Sequence, residues 1–217
     1  MISAISGLAL SRQVTNAEDL AQSYGPWSGI RTNHVVSTRG SFFDETGSSR
    51  GLSTKEDLEL LLALRKQADL VIVDAVTARN EQYRKLSSAH LAIVSASGNF
   101  RSIPAATATS GVTLFAPSIQ ESDNDSKPEV ITIDPAEPFA SLLTWASRMQ
   151  LDSLLLEAGP TLTKLCFKTT QVAQSAITVT PKVPLEDLDR LGNPFSNQGS
   201  LVSVAQSSDA TFTLWSY

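Results

Sequence analysis

Residues 53–76 read STKEDLELLLALRKQADLVIVDAV, and the change of rhythm inside this stretch decides the fold class. The first part predicts a helix over 53–67. Ser53 and Glu56 form an S-x-x-E box, which satisfies two amide donors that a helix start leaves open. Leu58, Leu61, Leu62 and Arg65 then recur on one face, so an apolar stripe packs inward and ends in a guanidinium. From Asp69 to Val76 the pattern becomes a continuous apolar run, the mark of a strand covered on both faces.

The same alternation extends outward. Strands are expected at 30–36, 91–94, 112–115, 130–133 and 154–156, with helices over 138–149 and from Pro160 through Leu165 and Cys166. Pro138 and Pro160 both sit at helix starts, where a missing amide costs least. After residue 175 the rhythm changes. Ala176 to Thr180, Leu201 to Ala205 and Thr211 to Tyr217 alternate with period two and no helix intervenes, which predicts antiparallel strands. The expected architecture is α/β: a mixed, mostly parallel sheet flanked by helices, closed by a C-terminal antiparallel hairpin. Residues 1–217 read as a single domain, with 1–26 as an extension packed on it and an acidic loop over 120–128.

Composition narrows the function. The chain has 217 residues, one Cys, two His and a net charge of −5. A domain this long buries roughly 70% of its unfolded surface and needs no disulfide or structural metal. One Cys and two His do not make a typical zinc site, so no metal is expected. The negative balance offers no general attraction to nucleic acid or acidic membrane. No stretch reaches the roughly 20 apolar residues that span a bilayer, and Met1 to Leu10 lacks a basic leader. A cytoplasmic protein is expected. His34 and His90 read as structural or surface residues, the three Trp as packing residues, and Cys166 as a small buried hydrophobe.

Ligands of open α/β sheets bind beyond the carboxyl ends of the strands. Two junctions of that kind stand out: Asp74-Ala75-Val76-Thr77 through Tyr83, and Glu157-Ala158-Gly159-Pro160-Thr161-Leu162. In the second, Gly159 permits close approach of the backbone and Pro160 sets the first helical turn. The open amides of Thr161 and Leu162 lie at the positive helix end, a place suited to phosphate.

Taken in order, these segments resemble a known family. Arg31-x-Asn33-x-Val35-x-Ser37 with Gly40, then Gly47-Ser48-Ser49, Leu64-Arg65-x-x-Ala68-Asp69, Thr77-x-x-x-Glu81-x-Tyr83 and Glu157-x-Gly159-Pro160-Thr161-Leu162 follow its pattern from about Trp27 to about Pro181. The chain resembles the C-terminal reductase domain of the bacterial bifunctional deaminase–reductases, the riboflavin-pathway pyrimidine reductases with a dihydrofolate-reductase-like fold. The resemblance implies NADPH-dependent reduction of a pyrimidine ribosyl phosphate or similar compound, in a homodimer. A reduction of this kind needs few acid–base side chains, because the cofactor carries the chemistry and the protein positions two ligands. By motif position, Val35, Thr77 and Glu81 would lie along NADPH, and Ala158, Gly159, Pro160, Thr161 and Leu162 would hold its diphosphate. Ser49, Arg65 and Glu157 would face the substrate, with Arg65 suited to its phosphate.

The chain departs from the pattern at four positions near these ligands. Arg39 stands where the family has Asp, Asp74 and Val76 where it has small residues, and Ala158 where it has Gly. A carboxylate at ~5 Å from a phosphate, at an effective dielectric of ~20, is opposed by about 3 kcal/mol. The exchange of charge suggests that Arg39 and Asp74 compensate one another as an ion pair. The alternative reading is a degenerate relative that keeps fold and dimer but has lost or altered cofactor binding. Reduction of an unrelated small molecule is a third.

Overall fold

The computed structural model describes residues 1–7, 14–45, 49–118, 128–184, 187, 195 and 198–217. The expected loop over 120–128 falls outside them but for its last residue, and so do Gly47 and Ser48. In chain order the first elements are β1 (Ser3–Gly7), α1 (Ala17–Ser23), β2 (Gly29–Ser37), α2 (Lys55–Gln67), β3 (Leu70–Asp74), α3 (Ala75–Asn80), β4 (His90–Val94) and β5 (Val112–Ala116). They are followed by β6 (Glu129–Thr132), α4 (Pro138–Arg148), β7 (Ser153–Leu156), α5 (Pro160–Thr169), β8 (Val172–Thr180), β9 (Ser200–Gln206) and β10 (Thr211–Ser216). No helix among the described residues is long and apolar enough to cross a membrane.

The chain divides into two compact units, the first made of Met1–Gln67 with Val172–Tyr217 and the second of Ala68–Gln171. In unit 1 the strands lie in the order β1-β9-β10-β8-β2. Strand β2 runs parallel to β8, and the remaining pairs are antiparallel, including the expected hairpin of β9 and β10. Residues 1–26 contribute β1 and α1 to this unit. Helix α1 starts at Asn16, whose side chain accepts from the Asp19 amide at 2.9 Å.

Helix α2 departs from its expected frame. Its cap is Thr54, not Ser53: Thr54 Oγ1 accepts from the Asp57 amide at 3.2 Å, while Ser53 Oγ donates to Asp57 Oδ2 at 2.6 Å. The buried face is Asp57, Leu60, Ala63 and Leu64, and Leu58 and Leu62 stand 50% and 46% exposed. The run of four leucines and an alanine let two faces compete, and seating Leu60 and Leu64 fixed the outcome.

Burial raises the Asp57 carboxyl above its ordinary value, against hydrogen bonds from Ser53 and Thr178 that lower it. The folded chain therefore holds this proton more tightly than the unfolded chain does. The corresponding stability is fully present below the unfolded pKa and is lost as pH rises through the folded one. Asp57→Asn should flatten this part of the profile, measured as the urea midpoint against pH from acid to neutral. A slope that persists unchanged in the variant would assign it to other groups.

Unit 1 also buries Arg31 completely. Its guanidinium lies 3.9 Å from the Trp27 ring centroid and donates to Gln174 Oε1 and the Gly25 carbonyl. These neutral acceptors and the ring face replace a carboxylate, and burial lowers its pKa to about 10.

Unit 2 is an all-parallel set in the order β7-β3-β4-β5-β6. Leu70 to Val73 and Leu91 to Ile93 are fully buried, as strands covered on both faces require. Helix α4 seats Phe139, Leu142, Trp145 and Ala146, and Trp145 packs on Phe115 and His90 at 5.4 and 5.2 Å between ring centroids. Cys166 of α5 is fully buried, as its apolar neighbours suggested. The strand expected over 69–76 is shorter. It stops at Asp74, because that side chain caps a new helix, α3.

Candidate functional site

Strands β3 and β7 are neighbours and parallel, so their carboxyl ends lie side by side in unit 2. Asp74 closes β3 and Glu157 follows β7. This is the position at which open parallel sheets accept ligands.

Asp74 organises the junction. Its Oδ1 accepts from the amides of Val76 and Thr77 at 3.0 and 2.9 Å. Its Oδ2 accepts from Thr77 Oγ1 at 2.7 Å and from the Gly159 amide at 2.6 Å. A carboxylate offers about four lone-pair sites, and all are used. One side chain thus caps α3 and fastens it to the cap residue of α5. Four donors of unit 2 itself compensate the Asp74 charge.

The same contacts explain the glycine. A Cβ on Gly159 would lie 3.2 Å from Thr77 Oγ1 and 3.3 Å from Asp74 Oδ2, tighter than an ordinary contact. Ala158, where the family pattern has glycine, does not have positive φ and is accommodated without strain. Pro160 opens α5 and has no amide to offer. Among the described residues nothing accepts from the amides of Thr161 and Leu162, so both remain open at the positive end of the helix. Val76, at the start of α3, is 61% exposed.

A second link joins the two junctions. Tyr83 Oη donates to Glu157 Oε2 at 2.7 Å, and the Glu157 amide donates to the Ile72 carbonyl at 2.8 Å. Glu157 is buried. Tyr83 is held in turn by its backbone, which bonds to Ala78 and Ala105. Gln82, just before it, takes a left-handed conformation that turns the chain after α3.

Of the residues singled out by sequence, unit 2 holds Thr77, Glu81, Glu157, Ala158, Gly159, Pro160, Thr161 and Leu162. Thr77 and Gly159 meet through Asp74, and Glu81 caps the end of α3. Val35 on β2, Ser49 ahead of α2 and Arg65 in its last turn belong to unit 1, each half-buried. The sequence motif contains Tyr83 without giving it a role, and there Asp74 reads as a repulsive charge compensated by Arg39. An Asp three residues before a Thr, at a strand end, is itself a capping signal. Among the described residues, no group of His, Cys, Asp or Glu could hold a metal ion.

No family model and no curated protein matches the sequence. Solved structures do resemble it. A pyrimidine reductase-like protein from Corynebacterium diphtheriae has a TM-score of 0.71 at 17% identity, over 93% of this chain and 98% of that one. A diaminohydroxyphosphoribosylaminopyrimidine deaminase/5-amino-6-(5-phosphoribosylamino)uracil reductase from Thermotoga maritima has a TM-score of 0.69 at 16% identity. That match takes in 90% of this chain but 57% of the longer enzyme. Dihydrofolate reductase from Enterococcus faecalis, solved with NADP(H), has a TM-score of 0.51 at 8% identity, over 86% of this chain and 95% of that one. At these identities the likeness is one of architecture: the chain has the mixed α/β fold that pyrimidine reductases share with dihydrofolate reductase.

Proposed function

We infer that the chain is an NADPH-dependent reductase acting on a pyrimidine ribosyl phosphate or a similar compound. The observation that carries this reading is the joining of the loops at residues 74 and 157 beyond the carboxyl ends of β3 and β7. The residues present there suit a dinucleotide. Two open amides at the start of α5, Thr161 and Leu162, face outward with the helix dipole behind them, beside a glycine without a side chain. When bound, NADPH would supply the hydride.

The chain's own residues bind and orient. Thr161 and Leu162 would donate to the diphosphate, and Thr77 and Glu81 would lie along the cofactor. Glu157 would accept from donors on the substrate, its carboxylate steadied by Tyr83. The roles that the family resemblance gives Val35, Ser49 and Arg65 in unit 1 belong to the same proposal, as do a homodimer and a cytoplasmic location. A second reading, a fold retained with cofactor binding lost or altered, is favoured by the Asp74 carboxylate on the Gly159 amide.

Incubation with millimolar NADPH and a ribosylaminopyrimidine phosphate tests the reading. NADPH should be consumed one for one with substrate, followed by its absorbance, and the product should gain two hydrogens by mass spectrometry. Binding without turnover on this substrate, but with turnover on another carbonyl or imine, would point to an unrelated small molecule. Neither binding nor turnover would leave the second reading.

A further inference from the structure

We propose that Asp74 is a built-in competitor for the phosphate end of the nucleotide, and so tunes how tightly the joined loops at residues 74 and 157 hold a phosphorylated nucleotide. The proposal rests on the nucleotide reading above. Asp74 Oδ2 stands 2.6 Å from the Gly159 amide, where an oxygen of a bound phosphate would have to sit to reach the same donor. The carboxylate does not swing freely. Three further bonds, from the Val76 and Thr77 amides and the Thr77 hydroxyl, hold both of its oxygens. A phosphate has two ways in. It displaces the carboxylate and strands those donors, or it uses the amides of Thr161 and Leu162 alone, a few ångströms from a fixed negative charge.

The second way is the cheaper. At ~5 Å and an effective dielectric of ~20, the repulsion between Asp74 and the nearer phosphate charge lowers affinity about a hundredfold. A nucleoside without phosphate escapes this penalty. The junction of α3 and α5, held together by this internal anion, therefore binds a phosphorylated nucleotide less tightly than its open amides alone would allow.

Calorimetric titration of wild type, Asp74→Gly and Asp74→Ser, with NADPH and with reduced nicotinamide riboside, tests this. Serine keeps a cap for α3 without the charge, and thermal melting shows that each variant is folded. Both variants are expected to bind NADPH about a hundredfold more tightly than wild type, while affinity for the riboside stays the same. Equal NADPH affinity in wild type and variants would overturn the competitor role and leave the nucleotide reading standing. Failure of all three folded proteins to bind NADPH would overturn both.

Discussion

Replacing Ile72 with alanine is expected to speed thiol labelling of Cys166 by about a hundredfold in native buffer. Ile72 is fully buried in β3, paired with Leu156 of β7 on one side and Ala92 of β4 on the other. Cutting such a side chain back to alanine removes transfer energy and leaves a cavity, a loss on the order of 3 kcal/mol. Cys166 belongs to the same unit and is an inert reporter while that unit stays closed. Its thiol is fully buried, and burial pushes its pKa up to about 12. Labelling therefore proceeds through opening of unit 2 and follows the opening equilibrium when reclosing is fast. Each 1.4 kcal/mol is about tenfold, which gives the stated rate. An unchanged rate would mean that α5 exposes its thiol by local fraying, without loss of the β3 core. The point matters for function because Ile72 lies two residues before Asp74 and accepts the Glu157 amide.

The β3 core was legible from sequence because parallel strands buried on both faces leave continuous apolar runs. The same was true of β4, β7 and α4, and of the alternating strands β9 and β10. Helix α2 was legible as a helix but not in its orientation. Five consecutive apolar side chains give a wide stripe, and only tertiary packing selects Leu60 and Leu64 over Leu58 and Leu62. Helix α3 is shorter still, six residues whose start depends on one side-chain cap, too brief for periodicity to reveal. The Gly159-Pro160 junction could be read locally, since glycine, proline and open amides are local facts. What Asp74 does there could not. Its bond to Gly159 joins residues 85 apart in sequence, and the charge that looked like an obstacle is also the clasp of the junction.

The Tyr83–Glu157 pair is another such long-range link, and it separates binding from positioning. Glu157→Gln keeps the shape of the side chain and removes its charge. If Glu157 accepts from substrate, this variant should lose about a hundredfold in kcat/KM, the scale of a hydrogen bond to a charged group, and mostly through KM. Tyr83→Phe leaves the carboxylate in place but takes away the donor at 2.7 Å, so it should cost about tenfold by the same reasoning. Because Tyr83 acts through Glu157, the double variant should be no worse than Glu157→Gln alone. Residues that share one function lose additivity, while independent ones keep it. Additive losses would place Tyr83 on the substrate directly. Losses confined to the melting temperature, with kcat and KM unchanged, would make the pair a clamp between β7 and the loop after α3, and Glu157 would leave the substrate site.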